Sequence, residues 1–193
     1  MPTDQRGGTS VEELTEMRLM MEPTLAAKAA ERANAQHIAL LRQAVIDLEH
    51  SKRDRVRLVA SDLLFHRVIF QASGNRLAGR LFQTIHRAML NMMMVTSQLV
   101  DLEHTLQFHQ PILAAIEQRN PDLASRLMTD HLNDARDLLL FAREQETARN
   151  LREHLANGQS VSKRSRKVAS VKKGMRHRRL GPKVERSTKI FAT

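Results

Sequence analysis

From residue 11 to about residue 155, apolar side chains recur three and four positions apart, and the breaks in that rhythm carry helix start and stop signals. No other feature constrains the fold as strongly. The pattern admits amphipathic helices packed by one face and excludes strands, whose side chains alternate every second residue. Ser10-Val11-Glu12-Glu13 has the form of a capping box, in which the hydroxyl and the carboxylate satisfy orphan backbone donors. Leu14, Met17, Met21 and Leu25 then share a face, and Pro23 predicts a kink or a break among them. Asn34 predicts a second cap, with Ile38, Leu41, Val45 and Leu48 on one side. A third helix is expected from about Arg55 to Ser73, ended by Gly74-Asn75, which tolerate left-handed geometry. A fourth runs from about Arg76 to Gln98, and a fifth from Asp101 or Thr105 to near Asn120. Asn120-Pro121 starts the last helix, expected to end near Leu155. The expected fold is all-α, an antiparallel bundle of six to seven helices over residues 11–155.

A formal net charge of +10 suggests nucleic acid as a partner, but its distribution argues otherwise. Residues 160–193 hold 12 of the 31 Lys+Arg and one of the 21 Asp+Glu, so the body is close to neutral. Residues 1–10 read as a disordered lead-in. Residues 156–193 read as a disordered basic tail, because apolar periodicity stops after Asn157-Gly158. Within the tail, Lys163, Arg164, Arg166, Lys167, Lys172, Lys173, Arg176, Arg178 and Arg179 could neutralise phosphates without reading sequence. The absence of Trp and Tyr leaves little for base stacking. The absence of cysteine excludes disulfides, thiol nucleophiles and cysteine-ligated metals. No apolar run approaches the ~18 residues of a membrane span, and the N-terminus has no signal-peptide core, so a cytoplasmic protein is expected.

Four ionisable residues stand on apolar helix faces. Asp62 and His66 are four apart and share a side with Val59, Ile69 and Phe70. His109 follows Leu106 and precedes Ile112, Leu113 and Ile116 at helical spacing; His131 lies among Leu127, Met128, Ala135 and Leu138. A carboxylate buried among apolar groups is costly unless paired or bound to metal. One carboxylate and three imidazoles from three helices suit a divalent transition metal; zinc fits best, with nickel and manganese open. The competing reading for each histidine alone is a hydrogen-bonded core residue. His86 also falls on an apolar face, with core packing its expected role. Met89, Met92 and Met93 read as core before pocket lining. His37, His50, His104, His154 and His177 fall near predicted ends, on polar faces or in the tail, and receive no role.

Nothing in the sequence specifies an enzyme. The G-x-S-x-G, H-E-x-x-H and G-x-G-x-x-G patterns are absent, and Gly74 and Gly79 have phosphate-loop spacing but are followed by Arg80-Leu81. A metal-dependent hydrolase is the weaker alternative, since no free carboxylate stands out as its base.

From about Val11 to Leu140 the chain resembles the FCD domain, the effector-binding domain of FadR-subfamily GntR bacterial transcription regulators. EELTEMRLMMEPTLAAKAAERA is similar to that family's first helix, including Arg18, Glu22 and Pro23. SDLLFHRVIFQASGN resembles its Asp-x-x-x-His helix, and FHQPILAAIEQRNPDLASRLMTDHL the segment carrying its last two histidines. The resemblance implies a homodimeric sensor in which Asp62, His66, His109 and His131 hold a divalent metal. A small carboxylate effector would complete the coordination shell, with Arg18 and Arg87 helping to neutralise it. Arg18 also stands four residues from Glu22, a spacing that supports an ion pair. Phe108 departs from the family, which usually has Glu there. The family's winged helix-turn-helix, which reads DNA, is not matched. The sequence therefore reads as a fragment, a truncated regulator with non-specific nucleic-acid affinity from its tail, or a protein that works without that domain.

Overall fold

The computed structural model describes residues 10–52 and 54–176, with side chains as far as His154. They form six helices: α1 Val11–Arg32, α2 Ala35–Glu49, α3 Arg55–Ala72, α4 Arg76–Thr96, α5 Leu102–Glu117 and α6 Pro121–Arg176. Local chemistry sets their starts. Ser10 Oγ accepts from the Glu13 N–H at 3.1 Å while the Glu13 carboxylate accepts from the Ser10 N–H at 2.9 Å. Asn34 and His37 form the same reciprocal pair ahead of α2. Asp101, not Thr105, caps α5 by accepting from the His104 N–H. Asn120 Oδ1 accepts from the Leu123 N–H at 3.0 Å, with Pro121 in the first helical position.

Pro23 does not break α1, which runs unbroken from Val11 to Arg32. A proline inside a helix costs about 3 kcal/mol. Apolar burial on both sides of it, at Leu14 before and Leu25, Ala26, Ala29 and Ala30 after, offsets that cost.

Gly74 ends α3 with φ 72°, in the left-handed region. A Cβ there would lie 3.3 Å from Arg32 Cδ, and the Arg32 guanidinium donates to the Ser73 carbonyl at 2.9 Å. Gly74→Ala is expected to destabilise by about 1 kcal/mol, seen as a lower urea midpoint at unchanged m value. An unshifted midpoint would mean that this turn is not held left-handed in solution.

α3 packs against α1, α2 and α4, and α5 lies against α1 and α2. α3 is therefore enclosed on most sides, and it buries Leu58, Val59, Leu63, Phe65, Val68, Ile69, Phe70 and Ala72. A polar side chain on such a helix must find its partners inside the protein. Asp62 and His66 are on this helix. α6 adds Ala124, Met128 and Leu132 to the same core at four-residue spacing.

Two further expectations are corrected. α6 continues to Arg176 rather than ending near Leu155. Its Lys, Arg, Gln and Ala are good helix formers, and a single Gly158 costs about 1 kcal/mol without forbidding helical dihedrals. His86 is exposed, because the buried stripe of α4 runs through Ala78, Phe82, Ile85, Met89, Met92 and Met93, one position to its side. The methionines are core, as expected. The chain divides into two units, 1–143 and 144–193. Residues 1–9 and 177–193, with the disorder expected there, lie outside the described residues. Among the described residues, no helix is long and apolar enough to cross a membrane.

Candidate metal centre

α3, α5 and α6 bring together the four residues singled out by their place on apolar faces. One ligand atom from each of Asp62, His66, His109 and His131 lies within 4.8 Å of every other. The closest approaches are His109 Nε2 to Asp62 Oδ1 at 2.8 Å, His131 Nε2 to His66 Nε2 at 3.3 Å and His66 Nε2 to Asp62 Oδ1 at 3.4 Å. Four ligands about 2.0–2.1 Å from a tetrahedral ion stand roughly 3.3 Å from one another, so the cluster is of the right size.

The surrounding hydrogen bonds set which ring nitrogens face inward. The outer nitrogen of His109, Nδ1, is 2.8 Å from the Thr105 carbonyl, which can only accept. That of His66 is 2.5 Å from Glu22 Oε2, a carboxylate oxygen. Both Nδ1 atoms therefore carry the proton, which turns the Nε2 lone pairs of the neutral rings inward. In the neutral protein, a lone pair of His109 and a carboxylate oxygen of Asp62 would then face each other at 2.8 Å. That contact is repulsive unless a cation joins them. Pinning one ring N–H on a carboxylate or carbonyl is how proteins orient metal-binding histidines. The donor set fits a divalent ion on this ground.

Charge reinforces the arrangement. Burial opposes ionisation of Glu22, but the Arg18 guanidinium and then His66 outweigh it and bring its carboxyl down to about 2. Arg18 Nε donates to Glu22 Oε1 at 2.6 Å, and Arg18 and Glu22 are 3% and 0% exposed. Burial likewise opposes the charge of Asp62, yet His109 and His66 beside it hold its carboxyl well below the usual carboxylate range. Glu22 raises the basicity of His66 against the pull of burial. Burial, with His109 and His66 close by, pushes His131 well below the usual imidazole range, so that ring is neutral.

A cavity of about 40 Å³ opens beside the cluster, reached by Asp62, His109 and His131 and walled by Leu58, Val100, Phe108 and Leu138. Phe108 packs against the His131 ring with centroids 5.4 Å apart. His104 and Asp134 also line the cavity, joined by a 2.8 Å hydrogen bond. Neither was selected from the sequence. The available signal for Asp134 was its position three residues after His131, on the same face of α6. His104 has no such signal, because it sits in the first turn of α5, where polar residues are ordinary.

Arg18 lies within 3.5 Å of His66 but is held by Glu22, and it is not among the residues lining the cavity. Arg87 is exposed on α4 and does not line it either. The basic residues Lys163, Arg164, Arg166, Lys167, Lys172, Lys173 and Arg176 fall on the α6 backbone with side chains outside the described residues. Arg178 and Arg179 are wholly outside them.

The HTH-type transcriptional repressor NanR of Salmonella newport is 36% identical over 125 residues, covering 61% of this chain and 46% of that protein. The same protein of Salmonella typhimurium matches equally well. The chain spans about half the length of these curated relatives, which by name are transcription regulators and not enzymes. Among solved structures, a GntR protein of Streptococcus agalactiae superposes with TM-score 0.56 at 26% identity, over 65% of this chain and 57% of that one. McbR/YncC of E. coli shares the fold, with TM-score 0.58 over 69% of this chain and 67% of that one, at 15% identity. Residues 13–134, which contain all four clustered residues, match the FCD domain family. The chain belongs to the FCD domain family.

Proposed function

We propose that this chain is the sensing part of a GntR-type transcription regulator, one that binds a divalent metal and a small carboxylate and works as a cytoplasmic homodimer. The observation that carries the metal reading is the convergence of three imidazole Nε2 atoms and one carboxylate, with the outer nitrogens of His66 and His109 pinned by acceptors. Asp62, His66, His109 and His131 would hold the ion. Zinc suits the donor set, and nickel and manganese are the alternatives. Bound there, the ion would supply a positive centre beside the cavity.

The cavity favours a small monoanion. None of its described lining residues is Lys or Arg, so the metal is the cation that a carboxylate would meet. Asp134 at the same cavity disfavours a second negative group. Arg18 acts on this reading through Glu22 and His66, not by touching the effector. In an intact regulator, effector binding would alter the affinity of an attached DNA-reading domain. That coupling requires the effector to favour one state of the protein over the other.

Metal analysis of the purified chain is expected to give about one divalent ion per chain in the wild type and a negligible amount in His109→Ala. Acetate should then raise the Tm of the metal-loaded wild type, and succinate should raise it no further, because a ligand bound only to the native state stabilises it. Equal and negligible metal in both proteins would overturn the reading.

A further inference from the structure

We infer that His131 is the exchangeable arm of the metal centre: the tautomer it needs for coordination is the one its surroundings oppose, whereas His66 and His109 are preset. The inference rests on the metal-binding reading above. Each of the three rings has its Nε2 directed at the cluster, and they differ in what holds the far side. His66 Nδ1 has Glu22 at 2.5 Å and His109 Nδ1 has the Thr105 carbonyl at 2.8 Å. His131 Nδ1 is buried with no hydrogen-bond partner among the described residues. Its neighbour Phe108 offers an aromatic ring and no acceptor.

In the metal-free neutral protein the tautomers follow from these contacts. His66 carries its proton on Nδ1, so its Nε2 presents a lone pair to His131 Nε2 at 3.3 Å. Arg18 Nη2 also reaches that lone pair, at 3.4 Å, but two bare lone pairs 3.3 Å apart would repel and an N–H on the orphaned Nδ1 would be unsatisfied, so His131 Nε2 is the N–H donor and its Nδ1 a bare lone pair. Coordination through Nε2 reverses this. The proton leaves Nε2 and one is taken up at Nδ1, with no net change in protonation. The new N–H is buried without an acceptor, which is the costly kind of unsatisfied group. His66 and His109 meet no such cost. Loss of the hydrogen-bond partner behind a metal-bound histidine typically lowers metal affinity 10–100-fold. His131 is built without that partner, so it contributes that much less than the others. A site with two fixed imidazoles, a fixed carboxylate and one weak arm can release the arm when another ligand reaches the ion.

The test uses the full chain with zinc as the probe. Long-range proton–nitrogen NMR of the metal-free protein at pH 8 should show Nδ1–H in His66 and His109 and Nε2–H in His131, with His131 switching to Nδ1–H on zinc addition. Competitive zinc titration should show at least a 100-fold loss for His109→Ala and less than about a 10-fold loss for His131→Ala. Nδ1–H in His131 before zinc is added overturns the inference, as does an equal loss in the two variants. The NMR arm needs no variant and is therefore independent of whether they fold. Failure of the wild type to bind zinc would instead overturn the metal reading on which the inference rests.

Discussion

Glu22→Gln is expected to destabilise the chain by about 3–5 kcal/mol at pH 7, the usual cost of removing one partner of a buried ion pair. Arg18 would keep its charge at 3% exposure with no anion beside it, and His66 Nδ1 would lose a charged acceptor. The acid dependence of stability gives an independent measure. The Glu22 carboxyl falls from its usual 4.5 to about 2 on folding. A depressed carboxyl contributes stability that is complete above the unfolded value and is lost as pH falls through the folded one. That contribution, about 3 kcal/mol at roughly 1.4 kcal/mol per unit, should therefore fade between pH 4.5 and 2. Urea unfolding across that range should show a steeper fall for the wild type than for Glu22→Gln. The double change Arg18→Met with Glu22→Gln should recover much of the loss, because it leaves no buried charge unpaired. A single variant within about 1 kcal/mol of the wild type would show that Glu22, with its contacts to Arg18 and to His66 of α3, contributes little to stability.

The second large effect separates metal binding from folding. Asp62→Asn keeps the shape of the side chain and removes the one anion among the four clustered residues. In the metal-free protein, at a pH where the rings of the cluster are neutral, the change should cost less than about 1 kcal/mol, since an amide N–H can donate to the His109 Nε2 lone pair that now faces a carboxylate oxygen. Toward metal the loss should be at least 100-fold, because nothing then neutralises a divalent ion in a half-buried site. At a metal concentration about 100 times the wild-type Kd, the wild type should gain about 2.7 kcal/mol and the variant almost nothing. For a chain of this size that difference is a Tm shift of roughly 5–10 °C, read by thermal denaturation with and without metal. If the metal-free variant loses several kcal/mol, Asp62 serves a charged His109 in a structural ion pair. If metal stabilises both proteins equally, the cluster is not the binding site.

Much of the fold was legible from sequence because the determinants of helix boundaries are local. A cap acts on the next three residues, as Ser10, Asn34, Asp101 and Asn120 do here. The structure departs from the local pattern where a local rule meets a nonlocal load. Pro23 is disfavoured in a helix by its own geometry, and only burial along the whole of α1 overrides it. His86 falls near the apolar stripe of α4 but outside it, because a helical face read at 3.6 residues per turn is resolved no better than one position.

The candidate site divides in the same way. The four clustered residues could be read from sequence because each is a polar interruption of an apolar face. Burial makes such an interruption costly unless it has a partner, so the sequence alone determined that these side chains need one. Which atoms meet was decided by the packing of α3 against its neighbours and by the placement of α5 and α6. The tertiary structure alone chose the carboxylate of Glu22 for His66, the Thr105 carbonyl for His109, and, among the described residues, no acceptor for His131 Nδ1. It also placed Asp134 against His104 and kept Arg18 and Arg87 out of the cavity. The physical reason is range. Helix periodicity fixes which face a residue occupies, whereas a hydrogen bond between helices depends on an approach of about 3 Å, set by every side chain packed between them.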